Sequence, residues 1–374
     1  MHLYIHVPFC RRRCSYCDFA IAVRRRVPAE VYVDTVLAEW DLWRDTPVWS
    51  SSSMLSTIYA GGGTPSLLDP AALERLIGHL VAQKPLAPDA EVTLEANPDD
   101  VTLPRARDWR ALGVNRISLG AQSFAPAALQ WMHRTHGADQ IGSAVDIVRR
   151  AGFDNVSLDL IFGLPNSLGR DWTDDLHRTL ALEPSHVSLY GLTVEPHTPL
   201  ARWVTRGVVR PVDDTTYATE FLTANRLLCE AGFDHYEVSN ASRPGFRSRH
   251  NSAYWRRSTY LGLGPSAHSA WENHRQWNAR EWESYRRHVA GGVGPVEGSE
   301  ELDAEAVALE TTYLGLRTRE GLPAEWIPDE LAGRWRHAGW ARTAEGRVQL
   351  TPQGWLRLDA LVGEVAGAGL NSHA

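Results

Sequence analysis

Two hydrophobic periods alternate over the first two thirds of the chain. Leu3, Ile5 and Val7 alternate with Tyr4 and His6 at the two-residue period of a strand, and Pro8 ends the run. Further strand-like runs fall at Ser56–Ala60, Glu91–Glu95, Arg116–Leu119, Val156–Phe162 and His186–Tyr190. Helical patterns at 29–44, 70–82, 103–112, 138–151 and 171–182 lie between them, and another follows at 213–231. Strands separated by roughly 10 to 20 residues of helix have the rhythm of βα units and a parallel sheet. Six such units are fewer than a closed barrel requires. The expected fold is therefore α/β, a partial (β/α)6 TIM-like barrel, with its site at the C-terminal ends of the strands.

The rhythm breaks after about residue 240, where Ser242-Arg243-Pro244-Gly245 and Gly291-Gly292-Val293-Gly294-Pro295 bring turn residues, the second reading as a linker. From about residue 300 the pattern is helical; Arg347–Thr351 then reads as a short strand and Gly354–Leu361 as a closing helix. Three parts are expected: a core over 1–240, a connecting segment over 241–295, and a helical, winged-helix-like module over 296–374. A chain of 374 residues, 43% hydrophobic and 22% charged, is long enough for one large domain plus a smaller one. Its net charge of −7 argues against a dedicated nucleic-acid binder. No apolar run approaches the ~20 residues of a membrane span, which leaves room only for peripheral membrane contact. Fifteen tryptophans and eleven tyrosines either fill the core or line a site for a flat ligand.

Three of the four cysteines lie in Cys10-Arg11-Arg12-Arg13-Cys14-Ser15-Tyr16-Cys17, on the loop after the first strand. Three thiolates this close suit one [4Fe–4S] cluster with an iron left open, the mark of a reactive centre. Arg11 to Arg13 are expected to offset the charge of such a cluster and to lower the thiol pKa values. A zinc site with His6 or Asp18 as fourth ligand is the alternative, although no second ligand couple accompanies it. A disulfide would strand the third thiol, and no signal peptide points to secretion, so a reducing cytoplasm is expected. Cys229, in a helical pattern, reads as an inert core residue.

Other strand ends also carry chemistry. Gly61-Gly62-Gly63-Thr64-Pro65 lets the backbone approach a ligand and aim N–H groups at an anion. Glu95-Ala96-Asn97-Pro98 and Ser118-Leu119-Gly120-Ala121-Gln122-Ser123-Phe124 end the third and fourth strands. Asp159 is a charge within the otherwise nearly apolar fifth strand. It requires a partner such as a ligand hydroxyl, or else a structural hydrogen bond.

His6-Val7-Pro8-Phe9-Cys10 leading into C-x3-C-x2-C, the Gly-Gly-Gly-Thr-Pro-Ser run at 61–66, Glu-Ala-Asn-Pro at 95–98 and Gln-Ser-Phe at 122–124 together resemble the radical S-adenosylmethionine (SAM) enzymes. More narrowly, they are similar to the branch holding oxygen-independent coproporphyrinogen III oxidase (HemN) and the heme chaperone HemW. The resemblance runs from Tyr4 to the Thr351-Pro352-Gln353-Gly354 segment. It implies that Cys10, Cys14 and Cys17 hold a [4Fe–4S] cluster whose open iron chelates SAM. Reduced by an electron donor, that cluster would cleave SAM to methionine and a radical that abstracts hydrogen. It further implies that Gly62, Gly63 and Thr64 hold the methionyl end of SAM, with Glu95 and Arg134 as its polar clamps. Gln122 and Asp159 would take the ribose hydroxyls, Tyr4 would pack beside SAM, and the backbone near Tyr16 would meet the adenine.

Within the branch, the oxidases carry a further cysteine two residues after the third and a longer N-terminal segment. Here Phe19 stands at that position, and the first strand begins at residue 2. His250-Asn251-Ser252-Ala253-Tyr254-Trp255 matches the H-N-x-x-Y-W motif of HemW-like proteins, which implies heme binding with His250 as axial ligand. A buried, hydrogen-bonded histidine is the plainer reading of His250, and His268 is a second candidate ligand. The expectation is a carrier that delivers heme to a respiratory apo-protein. Coproporphyrinogen III oxidation, and methyl transfer or cyclopropane formation, are the enzymatic alternatives.

Overall fold

The computed structural model describes residues 1–368. Among these, one sheet holds twelve strands: β1 (His2–Val7), β2 (Leu55–Gly62), β3 (Leu86–Ala96), β4 (Arg116–Gln122), β5 (Asn155–Phe162), β6 (His186–Gly191), β7 (Asp234–Glu237), β8 (Asn240–Ser242), β9 (Tyr260–Leu263), β10 (His268–Trp271), β11 (His274–Asn278) and β12 (Val296–Glu301). Their spatial order is β12-β11-β10-β9-β1-β2-β3-β4-β5-β6-β8-β7. β1 to β6 stand in chain order and pair in parallel, as the alternating pattern predicts. The order has two ends, so the barrel is open.

The strand pleat sorts the side chains. Leu3, Ile5 and Val7 of β1, Ile58 and Ala60 of β2, and Val92 and Leu94 of β3 are buried in the core, with Ile117, Leu119, Leu158, Leu160, Val187 and Leu189 further along. They meet apolar residues of the crossover helices, among them Trp40, Leu76, Trp109, Val145 and Leu176. Each such side chain contributes roughly 1.5–3 kcal/mol by leaving water. The intervening positions face the other way and are polar or aromatic: Tyr4, His6, Tyr59, Glu95, Ser118, Asp159, Ser188 and Tyr190.

The segment expected only to connect departs most from the sequence pattern. β9 pairs in parallel with the outer side of β1, and β10, β11 and β12 extend the sheet antiparallel from there. β10 to β12 are short and largely polar (His274-Arg275-Gln276-Trp277-Asn278, for example), so they lack the apolar alternation that marks a strand, and β9, with Leu261 and Leu263 buried, is only four residues long. The glycine run at 291–294 is the loop from helix Trp282–Ala290 into β12. Beyond it, helices Ala304–Leu316, Asp329–His337 and Leu358–Gly367 surround a three-stranded sheet of Leu322–Pro323, Ala341–Ala344 and Arg347–Leu350. Its Trp335 and Trp355 join the common core, and Arg317 pairs with buried Glu237 of β7 at 2.9 Å. Cys229, expected from its pattern to be an inert core residue, is instead exposed on helix Asp214–Glu230, on the side of the helix turned away from the core.

Glu39, fully buried on helix Ala29–Trp43, ties that helix to the antiparallel extension. Its carboxylate accepts from the Gly264 N–H at 2.8 Å, Asn278 Nδ2 at 2.6 Å and the Tyr285 hydroxyl at 2.6 Å. Burial nevertheless pushes its pKa up to about 7. The folded chain therefore holds this proton more tightly than the unfolded one. Its contribution to stability falls as pH rises from the ordinary carboxylate value towards 7. Over that window the wild type is expected to lose roughly 3 kcal/mol relative to Glu39→Gln, read by urea unfolding at its two ends. A difference between the two proteins that does not change with pH would show that Glu39 stays ionised throughout.

Candidate functional site

The loop after β1 is anchored at several points before it presents its thiols. The Ala22 N–H donates to the Pro8 carbonyl at 2.7 Å and the Arg24 N–H to that of Cys10 at 2.9 Å. Ser15 is buried, with its N–H on the Met132 carbonyl at 3.2 Å and its own carbonyl accepting from Leu200 at 2.9 Å. Cys10, Cys14 and Cys17, all half-buried, line one cavity of about 350 Å³ at the C-terminal strand ends. Burial pushes the Cys17 thiol up to about 12 and also raises Cys10, where the Thr64 hydroxyl, 3.4 Å from Cys10 Sγ, works the other way.

The loop arginines were expected to lower the thiol pKa values, but burial outweighs them: of the three only Arg13 acts in that direction on Cys10, and more weakly than Thr64 and Arg134. Arg11, Arg12 and Arg13 are exposed, and Arg11 turns to Asp99 and Asp100 at 3.4 and 2.8 Å. The guanidinium beside the thiols belongs to Arg134, whose Nη1 lies 3.6 Å from Cys14 Sγ. Arg134 Nη2 is held by Asn97 Oδ1 at 2.6 Å and the Gly120 carbonyl at 2.9 Å, while its Nε is buried without a partner. A buried guanidinium N–H left open beside three thiols calls for an anion.

The glycines lie opposite. Gly62 has φ +105°, and a Cβ there would come within 2.6 Å of the His6 ring; at Gly63 it would meet the backbone of Val7, Pro8 and Phe9 at 2.8 Å. Only glycine lets β2 pass this close to the cysteine loop. Glu95 accepts from the Gly62 N–H at 3.0 Å and the Tyr59 hydroxyl at 2.7 Å, and burial pushes its carboxyl up to about 7. At the far wall, Asp159 accepts from Ser118 Oγ at 3.0 Å and Ser157 Oγ at 3.2 Å, with its pKa raised chiefly by burial. The β4–β5 register slips between Leu119 and Gln122, and Gln122 takes φ +67°, a left-handed backbone for a non-glycine residue. The next residues hold that turn: Ser123 Oγ and the Phe124 N–H each donate to buried Asp175 at 2.7 Å.

One cavity thus gathers Cys10, Cys14, Cys17, Tyr16, Gly62, Gly63, Thr64, Glu95, Gln122, Arg134 and Asp159. Tyr4 and His250 do not line it. Tyr4 borders a neighbouring chamber, its hydroxyl 3.1 Å from His6 Nδ1. His250 is buried among Tyr4, Tyr59 and Tyr254, its Nδ1 2.6 Å from Thr57 Oγ1 and its Nε2 2.8 Å from the Tyr254 hydroxyl. Both imidazole nitrogens are engaged, and burial brings its pKa down to about 3. The plainer reading of this residue describes it as it stands here. The sequence reading assigned no role to Asn97, Ser118 or Tyr190, which also line the cavity. Asn97 and Ser118 lie inside the strand-end motifs, but only their hydrogen bonds to Arg134 and Asp159 show their use.

Residues 4–178 match the Radical SAM superfamily. The chain is 36% identical to the heme chaperone HemW of Mycobacterium tuberculosis over 98% of its own length and 94% of the relative's. It is 31% identical to that of Bacillus subtilis over 98% of both chains. The chain belongs to the HemW branch of the radical SAM superfamily. Coproporphyrinogen III oxidase (HemN) from Escherichia coli, at 21% identity, superposes with a TM-score of 0.80 over 97% of this chain and 89% of that one, which establishes a common fold.

Membership in the radical SAM superfamily implies a [4Fe–4S] cluster and SAM, and the residues present fit both. Among the described residues no three His, Cys, Asp or Glu side chains gather as a single metal ion requires. His6, one of the two fourth ligands considered for zinc, has its nitrogens on the Tyr4 hydroxyl and the Ala20 carbonyl. A four-iron cube offers each thiolate its own iron, so its three ligands stand apart round it. The open Nε of Arg134 and the glycine cradle of β2 suit the carboxylate of an amino-acid moiety.

Anaerobically reconstituted wild type is expected to hold about four irons and four sulfides per chain. Ala at Cys10, Cys14 or Cys17 should abolish this, and Cys229→Ala should not; loss of iron in Cys229→Ala alone would overturn the ligand assignment. For SAM, Asp159→Asn and Gln122→Ala are each expected to weaken binding by roughly 1–3 kcal/mol with the cluster retained. Calorimetry checks this, and unchanged affinity in both would make the two side chains purely structural.

Proposed function

We propose that this protein binds a [4Fe–4S] cluster, SAM and heme, and delivers the heme to a respiratory apo-protein from the cytoplasmic side. The observation that carries this reading is similarity, over nearly the whole chain, to proteins named heme chaperones. Among the described residues no helix is long and apolar enough to cross a membrane, so contact with a membrane-bound acceptor would be peripheral.

Each part of the cavity has a role under this proposal. Cys10, Cys14 and Cys17 would hold the cluster, and Arg134 would offset its charge while binding the SAM carboxylate through its free N–H. Glu95, fixed by Tyr59 and the Gly62 N–H, would accept from the SAM amine once deprotonated. Gln122 and Asp159 would take the ribose, with Tyr16 beside the adenine. Cluster and SAM, when bound, supply one-electron chemistry. Phe19, 58% exposed, stands where the oxidases carry a further cysteine and adds no ligand for a second cofactor at that point.

The reconstituted protein, incubated with coproporphyrinogen III, SAM and reductant, is expected to release no decarboxylated porphyrinogen, while binding hemin with a Soret band. Formation of protoporphyrinogen by the wild type would replace the carrier reading with the oxidase reading.

A further inference from the structure

Beside the cluster cavity lies a second chamber of about 590 Å³, in the size range of cofactor pockets. The two are neighbours, since Asp18, Phe19 and Gly62 border both. The chamber lies over the antiparallel extension β9 to β11, and its apolar wall comes from Tyr254, Trp255, Tyr260 and Trp271. His268 of β10 lines it from one side. Its imidazole is exposed, packs flat against Trp277 at 5.8 Å (28° between rings), and neither nitrogen makes a hydrogen bond among the described residues. Arg280 also lines it; its guanidinium reaches the Asp18 carbonyl but pairs with no carboxylate among the described residues. The other two arginines of the chamber are matched already, Arg257 and Arg275 both pairing with Glu310.

His274 of β11 is the chamber's other imidazole without a hydrogen bond among the described residues, but its Nε2 faces the Glu301 carboxylate at 3.9 Å and its ring lies against Trp271, whereas His268 pairs with no carboxylate among these residues. Aromatic walls, an imidazole with free nitrogens and an unmatched guanidinium are the groups that an iron porphyrin with propionate arms requires. We propose that this chamber is the heme seat, that His268 supplies the axial nitrogen, and that Arg280 pairs with a propionate. The proposal rests on the heme-carrier reading and gives that cargo a place. It also assigns the H-N-x-x-Y-W motif a different part. His250 is a positioning residue: bound to the Tyr254 hydroxyl from beneath, it sets the aromatic wall of the chamber without touching the porphyrin. Axial ligation is a donor bond from a neutral imidazole lone pair to the iron, with no change in oxidation state.

Hemin titrated into the reconstituted full-length protein, with difference spectra and resonance Raman excited in the Soret band, tests this. Wild type is expected to show a histidine-ligated heme. His268→Ala should lose at least tenfold in hemin affinity and change the axial-ligand signature while keeping cluster iron and SAM binding, and His268→Gly should regain the signature with added imidazole. Arg280→Ala should weaken affinity without changing that signature. His250→Gln, which retains hydrogen-bonding groups, should keep the histidine signature. The seat is overturned if His268→Ala binds hemin with wild-type affinity and spectrum, or if His250→Gln alone removes the histidine signature; in either case heme binding itself stands. Failure of the wild type to bind hemin would instead remove the heme-carrier reading along with the seat.

Discussion

The pleat of the parallel sheet is the constraint on which the rest depends. Successive side chains on a strand point to opposite faces. In β1 to β6 one set of alternate positions is almost wholly aliphatic and packs under the helices, which drives folding by apolar burial. The other set is free of that duty, and it is polar. Tyr59, Glu95, Ser118, Asp159 and Ser188 come together on one concave face because every strand keeps the same phase as its neighbour, with Glu95 opposite Ser118 and Asp159 opposite Ser188. A register slip of one residue would put the carboxylates in the core.

That concave face is costly. Glu95 and Asp159 are carboxyls in a poorly hydrated cleft, and burial raises the pKa of both despite their hydrogen bonds. Arg134 brings the opposite charge from outside the sheet, steered by Asn97 and the Gly120 carbonyl, and leaves one donor open. Arrangements that forgo part of their own satisfaction usually do so for a ligand. The strain at Gln122 and the close pass at Gly62 belong to the same economy. Both sit where the sheet gives way to the cavity, and both are held by neighbours that leave little freedom.

His250 and His268 show how far the availability of an imidazole depends on its surroundings. An imidazole between a hydroxyl on each nitrogen, with its backbone N–H on Glu91, is a structural post. An imidazole stacked on tryptophan at a chamber wall with both nitrogens free is available to a metal. His250 and His268 are the same side chain, and burial and hydrogen bonds separate them.

The chain by itself determined the parallel core, because two distinct periods in apolar residues suffice to place strands and helices and to orient their buried sides. It also determined the cysteine loop and most of the cavity, since Cys10, Gly62, Glu95, Gln122 and Asp159 lie at or near strand ends, and parallel strands carry all such ends to one rim. The tertiary structure alone decided the remainder. β9 is too short and β10 to β12 too polar to carry a clear period, so their place in the sheet came from the pairing of β9 with β1 and from the buried Glu39 bridge. Which arginine faces the thiols, and which histidine has its nitrogens engaged, depend on contacts between residues more than a hundred positions apart, such as Arg134 with Cys14 and His250 with Thr57. Such contacts are set by packing, and no local pattern records them.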